Sequence, residues 1–227
     1  EWRKLGSTWI LLGYVERDMQ VIIENCRNKR PALQIPPDLC VEAGATIDEN
    51  IYGTDPDNDD VKLEAFSETL NLATSPAKFT PSPAIFQRSA LAAGRFVWKT
   101  DCAHVKNQVY QVVFKISDRS TRGPSLVEFK TWNIRVVGPA PRPRRATYDR
   151  TVGSAALAWE PYVCKNASEI QVWRRVASFP YTRKECVTGM PSELGYTQIA
   201  TLAVSANSYN DDNNKKGLSP GAKYCYR

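Results

Sequence analysis

Only one histidine, His104, and two methionines occur in 227 residues, and none of the six cysteines forms a Cys-x-x-Cys pair. A structural zinc site needs about four nitrogen or sulfur ligands at short fixed spacings, so this sparse set speaks against one. Cys102 and His104 lie close together, but two ligands on a loop are too few. They read as half a disulfide beside an ordinary polar residue. A Ser-His-Asp hydrolase would depend on that same imidazole, and no Gly-x-Ser-x-Gly turn surrounds a serine. Glu64 and Asp118 are a carboxylate pair of the kind glycosidases use, yet acidic pairs are common on any surface. The apolar run Trp9-Ile-Leu-Leu12 is far short of the roughly 20 residues that cross a bilayer. No initiator Met stands at position 1, and Tyr224-Cys-Tyr-Arg227 reads as the middle of a strand. The sequence is therefore expected to be an excerpt of a longer polypeptide.

What is present is strand. Tyr110, Val112, Phe114 and Ile116 alternate onto one face, as do Trp132, Ile134 and Val136, and as do Phe96 and Trp98 after Gly94. Period-two alternation suits an antiparallel sheet with one face in a core and one in water. Proline, glycine and aspartate clusters separate these runs, which argues for β-sandwiches. Two breaks divide the chain: the polar, proline-marked stretch 25–37, and Gly138-Pro-Ala-Pro-Arg-Pro143, which denies hydrogen bonds and stiffens the backbone. The expected organisation is the last strands of a preceding sandwich over 1–30, a complete sandwich over 31–137, and an incomplete one over 138–227. Charge follows the same division. Residues 1–138 hold 17 basic and 17 acidic side chains, leaving 13 and 7 of the totals of 30 and 24 for the rest. Arg142, Arg144, Arg145 and Arg150 are the densest basic cluster. No nucleic-acid motif or aromatic platform accompanies it, so a solvated face is expected and nucleic acid is not.

Several segments resemble known extracellular modules. Ala155-Ala-Leu-Ala-Trp159-Glu-Pro161, Ile170-Gln-Val-Trp-Arg-Arg-Val176 and Gly217-Leu-Ser-Pro-Gly-Ala-Lys-Tyr224 resemble successive parts of a fibronectin type III domain. The resemblance implies a core Trp159, a plugging Leu218, and Tyr224 reaching back to a backbone carbonyl. The departures are an insertion at about 177–194 and the lack of a final strand. Residues 51–137 resemble a cadherin-like or Ig-like sandwich. In cadherin-like modules an Asp-x-Asp segment holds calcium at the junction with the preceding domain, which would make Asp55 and Asp57 ligands within the cluster Asp55, Asp57, Asp59, Asp60. Here the facing stretch is Asn25-Cys-Arg-Asn-Lys-Arg-Pro31, whose Arg27, Lys29 and Arg30 would repel a cation and pair with the aspartates themselves. A third reading is a solvated turn, which Asp and Asn favour.

Six cysteines in a β-rich chain point to an oxidising compartment. From their positions Cys40 is expected to pair with Cys102, closing a loop of about 60 residues at roughly 4 kcal/mol on the chain-entropy model. Cys164 is expected to pair with Cys186, leaving Cys26 and Cys225 beside incomplete regions. Spacing alone does not choose among the connectivities that six cysteines allow.

Taken in order, Arg17-Asp-Met-Gln, Glu24-Asn-Cys, Gly53-Thr-Asp-Pro-Asp, Asp101-Cys-Ala-His-Val105, Tyr110-Gln-Val-Val-Phe-Lys and Thr131-Trp-Asn-Ile-Arg-Val-Val-Gly-Pro-Ala-Pro141 resemble the tandem sandwich repeats of large gliding-motility-associated surface proteins of Bacteroidota. That resemblance implies type IX secretion, a place at the cell surface, and adjacent repeats of the same chain as neighbours. The expected role is a non-catalytic structural and adhesive spacer. The alternative is a carbohydrate- or protein-binding accessory module of a larger secreted enzyme, with Trp173 exposed near Tyr181 and Arg174 to stack on sugar rings or pack a partner. Surface glycans and other cell-surface proteins are the partner classes, and calcium is the one cofactor in view. Asn166-Ala-Ser168 is a glycosylation sequon.

Overall fold

The computed structural model describes residues 1–20, 27–89, 92–178, 180–181 and 186–227. Cys26 lies outside the described residues. The chain is all-β, and among the described residues the only helical pieces are short 3₁₀ turns. It opens on a hairpin, β1 (Trp2–Leu5) and β2 (Thr8–Leu11), joined by Gly6 and Ser7 with Gly6 at φ +63°. A two-residue turn of that hand needs a residue tolerant of positive φ, and glycine supplies it. Both strands are exposed along their whole length.

The first sandwich has two sheets. One orders β3 (Ala32–Gln34), β5 (Thr46–Thr54), β9 (Ala93–Lys99) and β7 (Lys78–Thr80). The other orders β4 (Leu39–Glu42), β11 (Val127–Val137), β10 (Tyr110–Arg119), β6 (Asp60–Phe66) and β8 (Phe86–Gln87). The alternating residues meet between them: Phe96, Trp98, Val112, Ile116, Trp132 and Ile134 are completely buried. Phe96 sets its ring edge against Phe114 and Trp132 at centroid distances of 6.4 and 5.5 Å. Each buried indole keeps a hydrogen bond, Trp98 to the Ser75 carbonyl and Trp132 to that of Pro37, which removes the cost of burying an unpaired N–H. One pairing departs from the antiparallel expectation. β4 runs parallel to β11, because the chain leaves one sheet at Ile35-Pro36-Pro37, where two residues without N–H cannot continue a ladder, and joins the other.

The second sandwich packs the sheet β12 (Pro143–Asp149), β13 (Ser154–Trp159) and β16 (Ser208–Asp211) on the sheet β15 (Thr197–Leu202), β14 (Ile170–Val176) and β17 (Tyr224–Tyr226). Leu157, Trp159, Ile170 and Val172 form its core. The Trp159 indole donates to the Ala206 carbonyl at 2.9 Å, and Leu218 is buried with its amide on Gly153 O. Tyr224 closes its corner with the opposite polarity to that expected: its hydroxyl accepts the Ser219 amide at 3.0 Å instead of donating to a carbonyl.

The cysteine pairing also departs from expectation. Cys40 bonds to Cys186 and Cys102 to Cys164, so both bridges cross between the sandwiches instead of lying within them. The reason is positional. Cys40 and Cys102 both lie at the end of the first sandwich that meets the linker, facing the loops of the second that carry Cys164 and Cys186. The same junction holds a hydrogen bond from Tyr162 Oη to the Pro139 carbonyl and one from Asn166 Nδ2 to the Cys102 carbonyl. Gly138 fits beneath Tyr162, where an added Cβ would lie 2.8 Å from the hydroxyl.

Candidate functional site

The acidic turn between β5 and β6 is organised by Asp55. Its side-chain Oδ1 accepts the amides of Asp57 at 2.8 Å and Asp59 at 3.2 Å, the local geometry for which a short carboxylate is suited. Its own amide and carbonyl are tied to the Ser89 hydroxyl. This turn brings one oxygen each of Asp55, Asp57 and Asp59 within 4.8 Å of one another. Asp55 is only 4% exposed, and its Oδ2 and the Oδ2 of Asp59 are buried without a hydrogen-bond partner. Two orphaned carboxylate oxygens in so small a space fit the chemistry of a hard cation, which takes oxygen ligands. Asp60, the fourth residue of the expected cluster, instead pairs with Arg119 across the sheet.

The counter-charge is already partly in place. Asp57 accepts the Lys29 amide at 2.7 Å, with Lys29 Nζ at 3.7 Å and Arg122 Nη1 at 3.2 Å from its other oxygen. Lys29 thus makes the pairing with the aspartates that was one of the three readings of this turn. Arg122 was not foreseen: it arrives from the β10–β11 turn, 65 residues from Asp57, and only the strand register brings it there. Below the turn, buried Asp118 accepts from Asn28 Nδ2 at 2.7 Å and from the Leu126 amide. That spends one of the two carboxylates of the glycosidase reading on structure, while Glu64 sits between Lys62 and Lys115.

A second constellation lies in the second sandwich. Trp173 and Tyr181 line one cleft of about 680 Å³ together with Tyr162, Glu169, Gln171 and Arg227, walled by the linker prolines. Trp173 donates its indole N–H to Gln171 Oε1, and Gln171 donates to Glu169 Oε1, so the aromatic plate is held by a short polar chain. Arg227 lies over the Tyr181 ring at 4.7 Å and 5.6 Å from that of Tyr196. Arg174 does not share this cleft. It turns to the other side of β14, where Nη1 binds both oxygens of buried Asp211 at 2.9 Å and Nη2 binds Asn213. Alternation along a strand explains the split, since neighbours face opposite ways. Arg227 takes the place expected for Arg174. Nothing in the spacing announces it, because its position follows from main-chain bonds with Trp173. Tyr226 joins the Asp211 network through its hydroxyl, and burial followed by that hydrogen bond pushes its phenol well above the usual range.

His104 is buried and fully engaged. Nδ1 accepts the Asp101 amide at 2.8 Å and Nε2 meets the Thr74 carbonyl at 2.8 Å, so the ring is neutral with its proton on Nε2. It packs 5.0 Å from Trp98, capping a 3₁₀ turn. Neither ring nitrogen is left to serve a nucleophile.

No protein-family model matches the sequence, and no curated protein does. Among solved structures the chain is similar to a nucleoside hydrolase-related hypothetical protein from Saccharophagus degradans associated with carbohydrate metabolism, at 14% identity and TM-score 0.34, over 48% of this chain and 26% of that one. It is similar to the sialic acid binding region of a Streptococcus sanguinis adhesin at 9% identity and TM-score 0.40, over 56% of this chain and 35% of the adhesin region. It is also similar to fibronectin domains FN1–FN3 of chicken CNTN1 at 12% identity and TM-score 0.28, over 84% of this chain and 61% of that one. The chain spans less than two thirds of each. Likenesses this distant carry no inference about activity. Among the described residues no helix is long and apolar enough to cross a membrane.

Proposed function

We propose that this chain is a non-catalytic structural and adhesive segment of a long extracellular surface protein. The observation that supports it is the double covalent clamp: Cys40–Cys186 and Cys102–Cys164 both bridge the sandwiches on either side of a five-residue linker, 138–142. Disulfides persist in oxidising compartments, and a clamped junction holds orientation over distance, which is what a spacer requires. The finer reading, a repeat of a gliding-motility-associated surface protein of Bacteroidota exported by the type IX route, rests on the sequence resemblance. It would make adjacent repeats the immediate neighbours. Small-angle scattering is the test. The oxidised chain should give one narrow size distribution, and a Cys40→Ala, Cys186→Ala, Cys102→Ala, Cys164→Ala variant a broader and larger one. Identical profiles would remove the clamp as the basis of this role.

The cleft around Trp173 favours a second reading, a binding module for surface glycans or another cell-surface protein. An aromatic plate with fixed polar neighbours suits a sugar ring or a packed side chain. Binding on a glycan array that is lost in Trp173→Ala and kept in Arg174→Lys would support it. Calcium is the remaining proposal: Asp55, Asp57 and Asp59 would supply the oxygens and the ion would fix the turn against residues 27–31, in competition with Lys29 and Arg122. An affinity of about 10⁻⁴–10⁻³ M is the range for such modules. Calorimetry with millimolar calcium should give heat that Asp59→Asn abolishes, and a silent titration ends this proposal.

A further inference from the structure

In the first sandwich, the outer face of the sheet β4-β11-β10-β6-β8 carries side chains that the core does not use. Along β6 the core takes Val61 and Leu63, so alternation turns Lys62, Glu64 and Phe66 outward. Register aligns them with outward residues of the neighbouring strands. Phe129, Lys115 and Glu64 form one row, and Thr131, Val113 and Phe66 the next. Phe129 keeps 56% and Phe66 51% of its surface in water. Two strands across and two residues along separate these rings by roughly 12 Å at ordinary sheet spacings. A third outward ring, Phe86, is already capped by Arg119 at 4.7 Å and Lys62 at 5.7 Å.

Charge stands between the two uncapped rings. Glu64 pairs with Lys62 and Lys115, each nitrogen 3.4 Å from one of its two oxygens. One carboxylate thus holds two ammonium groups on the face, and each keeps donors to spare. Beside Phe66 the face opens into a cleft of about 500 Å³, whose lining includes Glu64, Lys78, Thr80 and Ser82. Three lysines (62, 78 and 115) against one glutamate leave two positive charges in excess, while Arg119 and Asp60 cancel each other. Lysine and glutamate are depleted at the centre of protein–protein interfaces. Here they separate the rings, so the face fits a ligand whose apolar and polar surfaces alternate. A pyranose does this: its C–H face packs on the negative face of an aromatic ring, and its hydroxyl and acid groups point sideways.

We propose that this sheet face and its cleft bind a uronic-acid polysaccharide. Sugar rings stack on Phe129 and Phe66, and a carboxylate between them is held by Lys62 and Lys115 in charge-assisted hydrogen bonds. Two excess charges match one carboxylate on each of two stacked sugars and fall short of the charge density of a sulfated chain. The site shares no residue with the Trp173 cleft or the Asp55 turn, so either of those readings can fail without touching it.

The test is calorimetry on the intact oxidised chain with hexagalacturonate in EDTA, which removes calcium as a bridge. The acid should bind, and its fully methyl-esterified form should bind at least tenfold more weakly. Phe66→Ala and Phe129→Ala, both at exposed positions that leave the core intact, should each weaken binding at least fivefold. Trp173→Ala should leave it unchanged. Lys115→Gln should weaken the acid at least tenfold and leave the ester where it was. No binding of hexagalacturonate, or an affinity unchanged in both phenylalanine variants, would overturn the site. Equal binding of acid and ester would overturn the uronate, as would tighter binding of a heparin oligosaccharide. A dimer in sedimentation that the phenylalanine variants abolish would assign the face to a second copy of the chain instead.

Discussion

Single side chains settle several questions that patterns leave open. Gly94 is one: a Cβ there would lie 2.2 Å from Cζ of Phe79, whose ring covers the backbone between β7 and β9. Overpacking of this kind costs about 1–3 kcal/mol, so Gly94→Ala should lower the first sandwich's melting temperature by several degrees in a calorimetric scan, and the further change Phe79→Leu should restore part of it. Two carboxylates on the exposed faces contribute to the acid response. Asp48 is held below its ordinary value by the Arg95 hydrogen bond, and Asp38 by bonds from the Asn133 side chain and amide. A lowered native value means that stability is present above the unfolded carboxylate value of about 4 and drains away as pH falls through the native one. Urea unfolding between pH 5 and pH 2 (roughly the window of that linkage) should show a shallower decline in Asp48→Asn than in the parent. The imidazole gives the contrasting lesson. A lone histidine invites a catalytic reading, and here both its nitrogens serve the backbone.

At the scale of strands and turns, legibility depends on how local the cause is. The alternation in β9, β10 and β11 is local, and the residues it marks are the buried ones. The roles of Trp159 and Leu218 came through by another route, the resemblance to a fibronectin type III domain, since their partners Ala206 and Gly153 are distant in sequence. The cysteine connectivity did not come through, because it depends on which loops of two separate sandwiches abut. Arg122 on Asp57 and Arg227 on Tyr181 escaped likewise: register, not spacing, places them. The bridge Cys102–Cys164 can be weighed at this level. Its separation of 62 residues corresponds to about 4 kcal/mol on the chain-entropy model. The double variant Cys102→Ala, Cys164→Ala should therefore unfold at clearly lower denaturant, with Asn166 Nδ2 released from the Cys102 carbonyl. Exchange measurements at the 102–105 turn should report that release, and an unchanged midpoint would show that the bridge only joins surfaces already fixed.

For the whole molecule the two bridges have a consequence under tension. Cys40–Cys186 spans 146 residues, which is most of both sandwiches. Pulled from its ends, an oxidised chain carries load through the sulfurs, and everything between those residues is shielded from extension. At about 3.4 Å per residue, roughly 500 Å of contour stays hidden until both bridges are cut, since Cys102–Cys164 lies within that span. A single-molecule stretching trace should lengthen by that amount when reductant is added, turning a short stiff link into a long compliant one. Thiol chemistry thus sets how far this stretch of protein can pay out.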